Sequence, residues 1–255
     1  MSKYNKIVFT PLTRFIEEVL EFPAPASSVI PKWYKDVPPY INGSNFPKYN
    51  DYSGEYDATI KKCIPVLDSL CTGYVLKTPA DLLVDFDENG EQFITWKTPD
   101  FNLVNTYQNS PQIDFISMHS NEQIGEYPIP LGYSKRIYKF NGFWNIKTPS
   151  KYSLLFMHPI GRLDLPFYSM SGVVDSDIFN LTPVNIPFFL KENFKGIIPA
   201  ETPYAQIIPL LRENWQMEKG SHIGVMQKET VFLAKTKLKI SSWYKKNVWE
   251  KKEYR

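Results

Sequence analysis

Gly172-Val173-Val174-Asp175-Ser176-Asp177 is one of two segments that indicate the fold most clearly. The other is Ile198-Pro199-Ala200-Glu201-Thr202-Pro203-Tyr204-Ala205-Gln206-Ile207-Ile208. The first combines a glycine turn, a β-branched strand and an acidic strand end. The second is a turn that leads into another apolar strand. Short apolar runs between turn residues are typical of antiparallel β structure. Residues 143–212, which contain both stretches, therefore predict a small all-β fold with a closed pocket at these strand ends.

The proline content extends this prediction to the whole chain. The 255 residues include 21 prolines, and 43% of the residues are hydrophobic. Because proline ends helices and is excluded from central strands, we expect many turns and short strands. The predicted fold class is mainly β, an antiparallel sandwich or β-clip-like barrel. A short internal helix, an extended proline-rich N-terminal arm and a basic C-terminal helix accompany it.

Three segments follow from the distribution of proline, aromatic and charged residues. Residues 1–57 are predicted to form an arm that packs on the body or on a neighbouring subunit, with aromatics such as Trp33 and Tyr40 to bury. Residues 58–235 form the β-rich domain, and residues 236–255 form the basic C-terminal helix. Because arms commonly exchange contacts between subunits, we expect a homo-oligomer.

Local signals place the individual elements. Proline at 65 and glycine at 73 bound a short helix over 65–72. Asn89-Gly90 supplies the turn of a hairpin between strands 81–86 and 91–96. Ser242 is the expected cap of the C-terminal helix. Further strands are predicted at residues 74–77, 113–117, 135–140, 143–147, 152–157, 172–174, 184–189 and 205–209.

Charge and cysteine content exclude some functional classes. The formal net charge is +2, although residues 235–255 hold eight basic and two acidic residues. The chain as a whole therefore has no strong attraction to nucleic acid or membranes. Cys63 and Cys71 match no zinc pattern and are expected to be reduced thiols. No run approaches the roughly 18 apolar residues of a membrane span. We expect a cytoplasmic protein with no membrane partner.

Four motifs within 143–212 resemble the dUTPase and dCTP-deaminase family. Ile146-Lys147-Thr148-Pro149-Ser150-Lys151-Tyr152 resembles its strand–Pro-Pro-Gly-Tyr turn, and His158-Pro159-Ile160-Gly161-Arg162-Leu163 lies near the place of its Pro-Arg-Ser-Gly phosphate turn. Residues 172–177 resemble its Gly-Ile-Asp-Ser-Asp-Tyr motif. Residues 202–208 resemble its Gly-Asp-Arg-Ile-Ala-Gln strand, with Glu201-Thr202-Pro203 in place of the glycine turn.

This resemblance implies a site that hydrolyses or binds nucleotides. Asp175 would activate the water that attacks the α-phosphate, with Mg²⁺ as the cofactor. The implied ligand-binding residues are Arg162, Asp177, Phe179 and Gln206, with Arg162 facing phosphate and Gln206 bracing its strand. The chain has Ile178 where the family has an aromatic residue, and it lacks the family's glycine-rich closing motif. The alternative is an ordinary turn with solvated carboxylates.

The C-terminal tail suggests a different chemistry. Aromatic and basic residues alternate there, as in proteins that bind single-stranded nucleic acid. The candidate nucleic-acid contacts are Trp243, Lys245, Lys246 and Trp249. The alternative is a helix that docks its tryptophans and leaves its lysines in water. His119, His158 and His222 are isolated from one another, so we predict polar surface histidines and no metal site.

Over its whole length the chain resembles uncharacterised proteins encoded by tailed phages, especially marine ones. The residues that carry this resemblance are Phe22-Pro23-Ala24-Pro25-Ala26, Ile30-Pro31-Lys32-Trp33-Tyr34-Lys35, Thr59-Ile60-Lys61-Lys62-Cys63-Ile64-Pro65 and Tyr244-Lys245-Lys246-Asn247-Val248-Trp249. It implies a phage-encoded, assembly-related role, in host cytoplasm or virion. The leading hypothesis is a non-enzymatic structural or interaction protein. The nucleotide-binding protein and the nucleic-acid-binding accessory protein are the alternatives.

Overall fold

Antiparallel strands dominate the structure, a computed structural model that describes residues 5–46, 48–50, 55–96, 114–221 and 243–255. The described residues are mainly β with few helices, which confirms the predicted fold class. The strands are β1 (Val8–Pro11), β2 (Ala24–Pro25), β3 (Tyr49–Asn50), β4 (Glu55–Tyr56), β5 (Tyr74–Lys77), β6 (Leu82–Phe86), β7 (Gln92–Trp96), β8 (Ile116–Met118), β9 (Tyr133–Phe140), β10 (Trp144–Lys147), β11 (Tyr152–Met157), β12 (Phe167–Ser169), β13 (Gly172–Val174), β14 (Ile186–Lys191), β15 (Gly196–Ile198) and β16 (Pro203–Leu211).

The helices are short. They are α1 (Arg14–Val19), α2 (Lys32–Asp36), α3 (Ile64–Cys71), α4 (Asn121–Ile124) and α5 (Trp243–Asn247), with 3-10 turns at Ala26–Val29, Ile41–Gly43 and Ile60–Lys62. The predicted internal helix over 65–72 corresponds to α3, where Pro65 occupies the first turn. The predicted C-terminal helix over 236–255 is shorter than predicted: α5 ends at Asn247 and residues 248–255 are not helical, while residues 236–242, including the expected cap Ser242, lie outside the described residues. No helix in the described ranges is both long enough and apolar enough to cross a membrane.

Two sheets form the main layers. A five-stranded sheet has the order β13-β11-β16-β5-β2, and a four-stranded sheet has the order β12-β14-β9-β8. Phe140 of β9 stacks on Phe188 of β14 at 4.0 Å between ring centroids, and on Tyr204 of β16 at 4.2 Å. Because Tyr204 belongs to the five-stranded sheet, this aromatic stack links the inner faces of the two sheets. The arrangement is sandwich-like, as predicted.

The hairpin formed by β6 and β7 matches its sequence signal. Gly90 has φ of 76°, which its Asn-Gly signal predicts. Asp87 accepts hydrogen bonds on Oδ1 from the backbone N–H groups of Asn89 and Glu91, at 2.9 and 2.8 Å. β15 joins this hairpin as the third strand of a separate sheet.

Several predicted strands have the observed bounds, namely β5, β11 and β13. β9, β10, β14 and β16 differ from prediction by a few residues at their ends, and the predicted start of β8 at residue 113 lies outside the described residues. Six strands were not predicted: β3 and β4, which pair with each other, and β1, β2, β12 and β15. The last four have two to four residues and begin or end beside proline or glycine, so their extended conformation depends on pairing with a neighbouring strand.

The contacts divide the chain differently from the predicted three segments. One compact unit comprises Met1–Ala26 and Gly73–Arg212, and a second comprises Ser27–Thr72 and Glu213–Arg255. The first half of the predicted arm belongs to the first unit, where β1 pairs with β10 in a two-stranded sheet and β2 pairs with β5. The predicted boundary at residue 235 lies outside the described residues.

Gly73 begins the second part of the sandwich unit at a place where only glycine fits. Its φ is 78°, and a Cβ atom there would lie 2.0 Å from the carbonyl oxygen of Ile207. Because both the backbone conformation and the space exclude a side chain, this glycine allows β5 to pair closely with β16.

The second unit is held by contacts around α2. Lys61 donates from Nζ to the carbonyl oxygens of Tyr34 and Lys35, at 2.5 and 3.0 Å, and lies 4.6 Å from the centroid of the Tyr34 ring. A lysine at the C-terminal end of a helix satisfies its last carbonyl groups. The two cysteines are also in this unit, and both are free thiols.

Candidate functional site

The acidic turn after β13 contains the predicted catalytic residue. β13 pairs with β11 in a register that places Val174 opposite Leu154, so the next residue, Asp175, lies beside Ser153. Ser153 Oγ donates to Asp175 Oδ1 at 2.6 Å. The carbonyl oxygen of Asp175 also accepts hydrogen bonds from the backbone of Ile178 and Phe179. Asp175 is therefore held by both its side chain and its backbone.

Arg212, which follows β16, binds both carboxylates of this turn. Its Nη1 lies 3.1 Å from Asp175 Oδ1, and its two terminal nitrogens donate to the two oxygens of Asp177 at 2.7 and 2.5 Å. This is the forked geometry that a guanidinium adopts on a carboxylate. Sequence analysis did not single out Arg212, because the pairing depends on how β11 lies between β13 and β16. We call Ser153, Asp175, Asp177 and Arg212 the Ser153 end of β11.

Asp177 also stabilises an unusual backbone conformation. Lys151 has φ of 70°, a left-handed conformation that is uncommon for residues other than glycine. Its N–H donates to Asp177 Oδ2 at 2.9 Å, and its carbonyl oxygen accepts from the N–H of Arg212 at 2.8 Å. The side chain of Asp177 is only 9% exposed. The ion pair therefore fixes the turn between β10 and β11.

The pKa values of both carboxylates are below their ordinary range. Hydrogen bonding to Arg212 is the main cause that lowers the pKa of Asp177 to about 2. The hydroxyl of Ser153, followed by Arg212, lowers the pKa of Asp175. A general base works best with a pKa near the operating pH. Both groups are instead ionised and paired, which suits them to holding strand ends together.

Arg162 and Gln206 lie at the other end of β11. Gln206 is opposite Met157, and its Oε1 accepts from the N–H of Ile160 at 2.9 Å. Arg162 binds Asp164 through a fork with distances of 2.9, 3.2 and 2.9 Å. At about 3.3 Å per residue, the five steps from Ser153 to His158 span roughly 16 Å. The structure thus brings Asp175 and Asp177 together but places Arg162 and Gln206 far from them.

His158 is a buried residue, which corrects the prediction that it is a polar surface histidine. It is 7% exposed and stacks on Tyr168 with 4.8 Å between ring centroids. The N–H of Ser169 donates to Nδ1 at 3.2 Å, so the proton of the neutral ring is on Nε2, 3.0 Å from the carbonyl oxygen of Arg162. Burial is the main cause that lowers the pKa of His158. We call His158, Arg162, Asp164 and Gln206 the His158 end of β11.

Phe179 does not cover a ligand position. Its side chain is 54% exposed, and those of its neighbours Ile178 and Leu181 are 75% and 85% exposed. Val173, in the centre of β13, is 62% exposed. Apolar side chains that are this exposed so close together in the sequence are a feature of interaction surfaces.

Glu201, in the turn before β16, adopts a left-handed backbone conformation that favours glycine. Its φ is 64°. Thr78 holds the turn, because its carbonyl oxygen accepts from the N–H of Glu201 at 2.9 Å and its Oγ1 accepts from the N–H of Thr202 at 3.0 Å. Lys77 Nζ pairs with Glu201 and with Glu21, at 2.6 and 2.7 Å. These contacts make the turn a structural junction.

The residues predicted to contact nucleic acid lie at the C-terminus of the second unit. Trp249 donates from Nε1 to both carboxylate oxygens of Asp68, at 2.9 and 2.8 Å, and Lys252 binds the same carboxylate at 3.0 Å. Lys245 lies 5.9 Å from the centroid of the Trp249 ring, and Lys246 is exposed. The side chain of Trp243 lies outside the described part. Trp249 and Lys252 are thus docked on α3 through Asp68, whereas Lys245 and Lys246 are exposed.

A groove of about 550 Å³ lies in the first unit, away from the predicted site. It is lined by Glu91, Lys135, Arg136 and Glu192 together with residues of the hairpin turn. Arg136 binds Glu91 and donates from Nη1 to the carbonyl oxygen of Gln92 at 2.8 Å. Asp175, Asp177, Phe179, Arg162 and Gln206 are all absent from its lining. Because its acidic and basic residues are balanced, the groove does not select for one sign of charge.

Metal-binding residues are not clustered in the part of the chain that the structure describes, since no three His, Cys, Asp or Glu side chains are grouped to hold an ion. Comparisons of the chain with protein-family models, with curated proteins and with solved structures give no match. The geometry of the described residues is therefore the basis for a functional conclusion.

Proposed function

We propose that this protein is a non-enzymatic structural or interaction protein, phage-encoded and assembly-related, with copies of itself or other virion proteins as partners. The observation that carries the proposal is the set of ion pairs at the Ser153 end of β11. Both of its carboxylates are paired with Arg212, and the contacts of Asp177 and Arg212 with Lys151 join the ends of three strands. Exposed apolar side chains follow directly, as a protein partner requires.

Nucleotide hydrolysis through Asp175 and Arg162, with Mg²⁺, is the alternative that the proposal must exclude. The separation of roughly 16 Å along β11 argues against it, because one nucleotide phosphate chain would have to meet both residues. The purified protein is incubated with each deoxynucleoside triphosphate and Mg²⁺, and pyrophosphate release and thermal unfolding are measured. We expect neither turnover nor stabilisation. Turnover that is abolished by Asp175→Asn and retained by Asp164→Asn would overturn the proposal.

Nucleic-acid binding by the second unit is the other alternative, and one observation favours it. The second unit contains 15 basic and 10 acidic residues, whereas the first contains 14 basic and 17 acidic residues. The positive charge is thus concentrated in the unit that includes α5. Binding through phosphates would weaken steeply as salt rises. Titration of labelled single-stranded DNA and RNA at low and high salt tests this, with Lys245→Glu/Lys246→Glu as the variant and Lys135→Glu in the first unit as the control.

A further inference from the structure

β13 is an edge strand with an open side. It is the last strand of the five-stranded sheet and pairs on one side with β11, while in the described residues no strand pairs with its other side. Val173 is 62% exposed, and a Cβ atom on Gly172 would meet nothing within 4 Å. In an edge strand, the N–H and C=O groups of alternate residues point away from the sheet and accept a further strand.

A second edge strand, β15, differs from β13 because a lysine precedes it. β15 also has three residues, is also an edge strand, and has an exposed central residue, Ile197, at 59%. It is preceded by Lys195, which binds Asp85 at 2.7 Å. A lysine is a common device that prevents an edge from pairing with another chain. β13 itself has no charged residue, and the acids that follow it are bound by Arg212.

We propose that β13 pairs antiparallel with β13 of a second copy of this chain, so that two five-stranded sheets continue into one another across a two-fold axis near Val173. This rests on the proposed function and names the partner and its surface. Two-fold pairing requires a strand that is complementary to itself. β13 meets this condition because Val173 would face Val173, a favourable cross-strand pair, with no charge on either strand.

The residues beyond the strand supply the rest of the interface. A specific interface buries about 1,000 Å² or more in total, which three residues of strand do not provide. The exposed side chains of Ile178, Phe179 and Leu181 follow β13, and each occurs twice in a symmetric dimer. Arg212 offsets one of the two negative charges of Asp175 and Asp177, which reduces the repulsion between the acidic turns of the two copies.

The mass of the full chain in solution tests this proposal. One chain has a mass of 29.7 kDa, and light scattering over a series of concentrations should show a species of twice that mass. Val173→Lys places like charges opposite each other and should raise the dimer Kd by about tenfold or more. Ile197→Lys, the matched change on β15, should leave the Kd unchanged. A wild-type monomer at all concentrations, or an equal effect of both variants, would overturn the proposal.

Cross-linking locates the axis independently of any loss of stability in the lysine variant. Directly opposite residues have Cβ atoms about 5 Å apart, so Val173→Cys should form a disulfide dimer under mild oxidation. Ile197→Cys and the wild-type chain, with its own Cys63 and Cys71, measure the background. Cross-linking of Val173→Cys at the background level contradicts a two-fold axis there. A monomer without nucleotide turnover would end this inference and leave the proposed function standing, whereas Asp175-dependent turnover would end the proposed function.

Discussion

At the Ser153 end of β11, Arg212 binds Asp177 across 35 positions of sequence, whereas at the His158 end Arg162 binds Asp164 across two. Both pairs have the forked geometry. The first joins the ends of β13 and β16 to the turn before β11, so it restricts a long stretch of chain. The second orders only its own turn. The His158 end depends instead on a buried, neutral imidazole with hydrogen bonds on both nitrogens.

The contribution of an ion pair to the free energy of unfolding therefore depends on which segments of the chain it connects. A local pair contributes little because its partners are neighbours in the unfolded chain as well. An ion pair that joins distant segments contributes more. A buried polar side chain also contributes more, because its hydrogen-bond partners have no other partner when it is removed. The same residue types therefore have different roles at the two ends of one strand.

The largest effect is expected for His158→Phe. The substitution keeps an aromatic ring beside Tyr168 but removes both hydrogen bonds, which leaves the N–H of Ser169 without its acceptor. We expect the free energy of unfolding to fall by about 3 kcal/mol, measured by urea denaturation. Tyr168→Phe, which keeps the stack, is the control and should change stability by less than about 0.5 kcal/mol. Equal losses in the two variants would mean that the imidazole hydrogen bonds contribute nothing.

The second effect is a difference in thermal stability between variants of Arg212 and Arg162. Arg212→Met leaves Asp175 and Asp177 as neighbouring carboxylates without a guanidinium partner, although the backbone hydrogen bond from residue 212 to Lys151 is retained. Arg162→Met removes only a local pair and should cost about 1 kcal/mol or less. We expect Arg212→Met to have the lower midpoint of thermal unfolding. Equal midpoints would show that sequence separation does not distinguish the two pairs.

The third effect is a loss of stability at acidic pH, which is absent at pH 8 and grows as the pH falls. The pKa of His158 is below its ordinary 6.5 in the folded state, so the unfolded state binds a proton first as the pH falls through 6.5. Stability then falls by at most about 1.4 kcal/mol per pH unit, until the pH reaches the folded pKa.

Asp177 affects stability in a different pH range. Its pKa changes from 3.8 unfolded to about 2 folded, so its contribution is full above pH 3.8 and is lost between there and about 2.

Urea midpoints measured against pH for wild type, His158→Phe and Asp177→Asn should separate these two windows. His158→Phe should flatten the curve below pH 6.5 and leave the acid limb in place. Asp177→Asn should flatten the limb below pH 3.8. A wild-type curve that is flat between pH 6.5 and 5 would contradict a depressed pKa for His158.

The strands near the site were predictable because their signals are local. Gly172, the β-branched pair that follows it and Pro203 define the ends of β13 and β16 within a few residues. The proximity of Asp175 and Asp177 also follows from their spacing in one turn. Arg212 was not identified, because nothing in its neighbourhood in the sequence marks it as the partner of an acid 35 positions away.

The positions of Arg162 and His158 differ from those that the sequence predicts. The resemblance to a family motif predicts that it faces the same ligand as Asp175, but the length of β11 separates the two residues. His158 was predicted to be exposed because a histidine next to proline in a β loop is ordinarily polar surface. Its burial depends on Tyr168 and Ser169 of β12, a strand that the sequence did not predict.

Local sequence patterns predicted the mainly β character, the hairpin at Asn89-Gly90, the short helix α3 and ten of the sixteen strands, because turns and alternation are set by residues close together in the chain. Three features could not be read from the sequence: Arg212 binds both acids of the turn, His158 is buried, and β13 is an edge strand among the described residues. Each of these depends on which strands are neighbours and in what register, and that is a property of long-range packing.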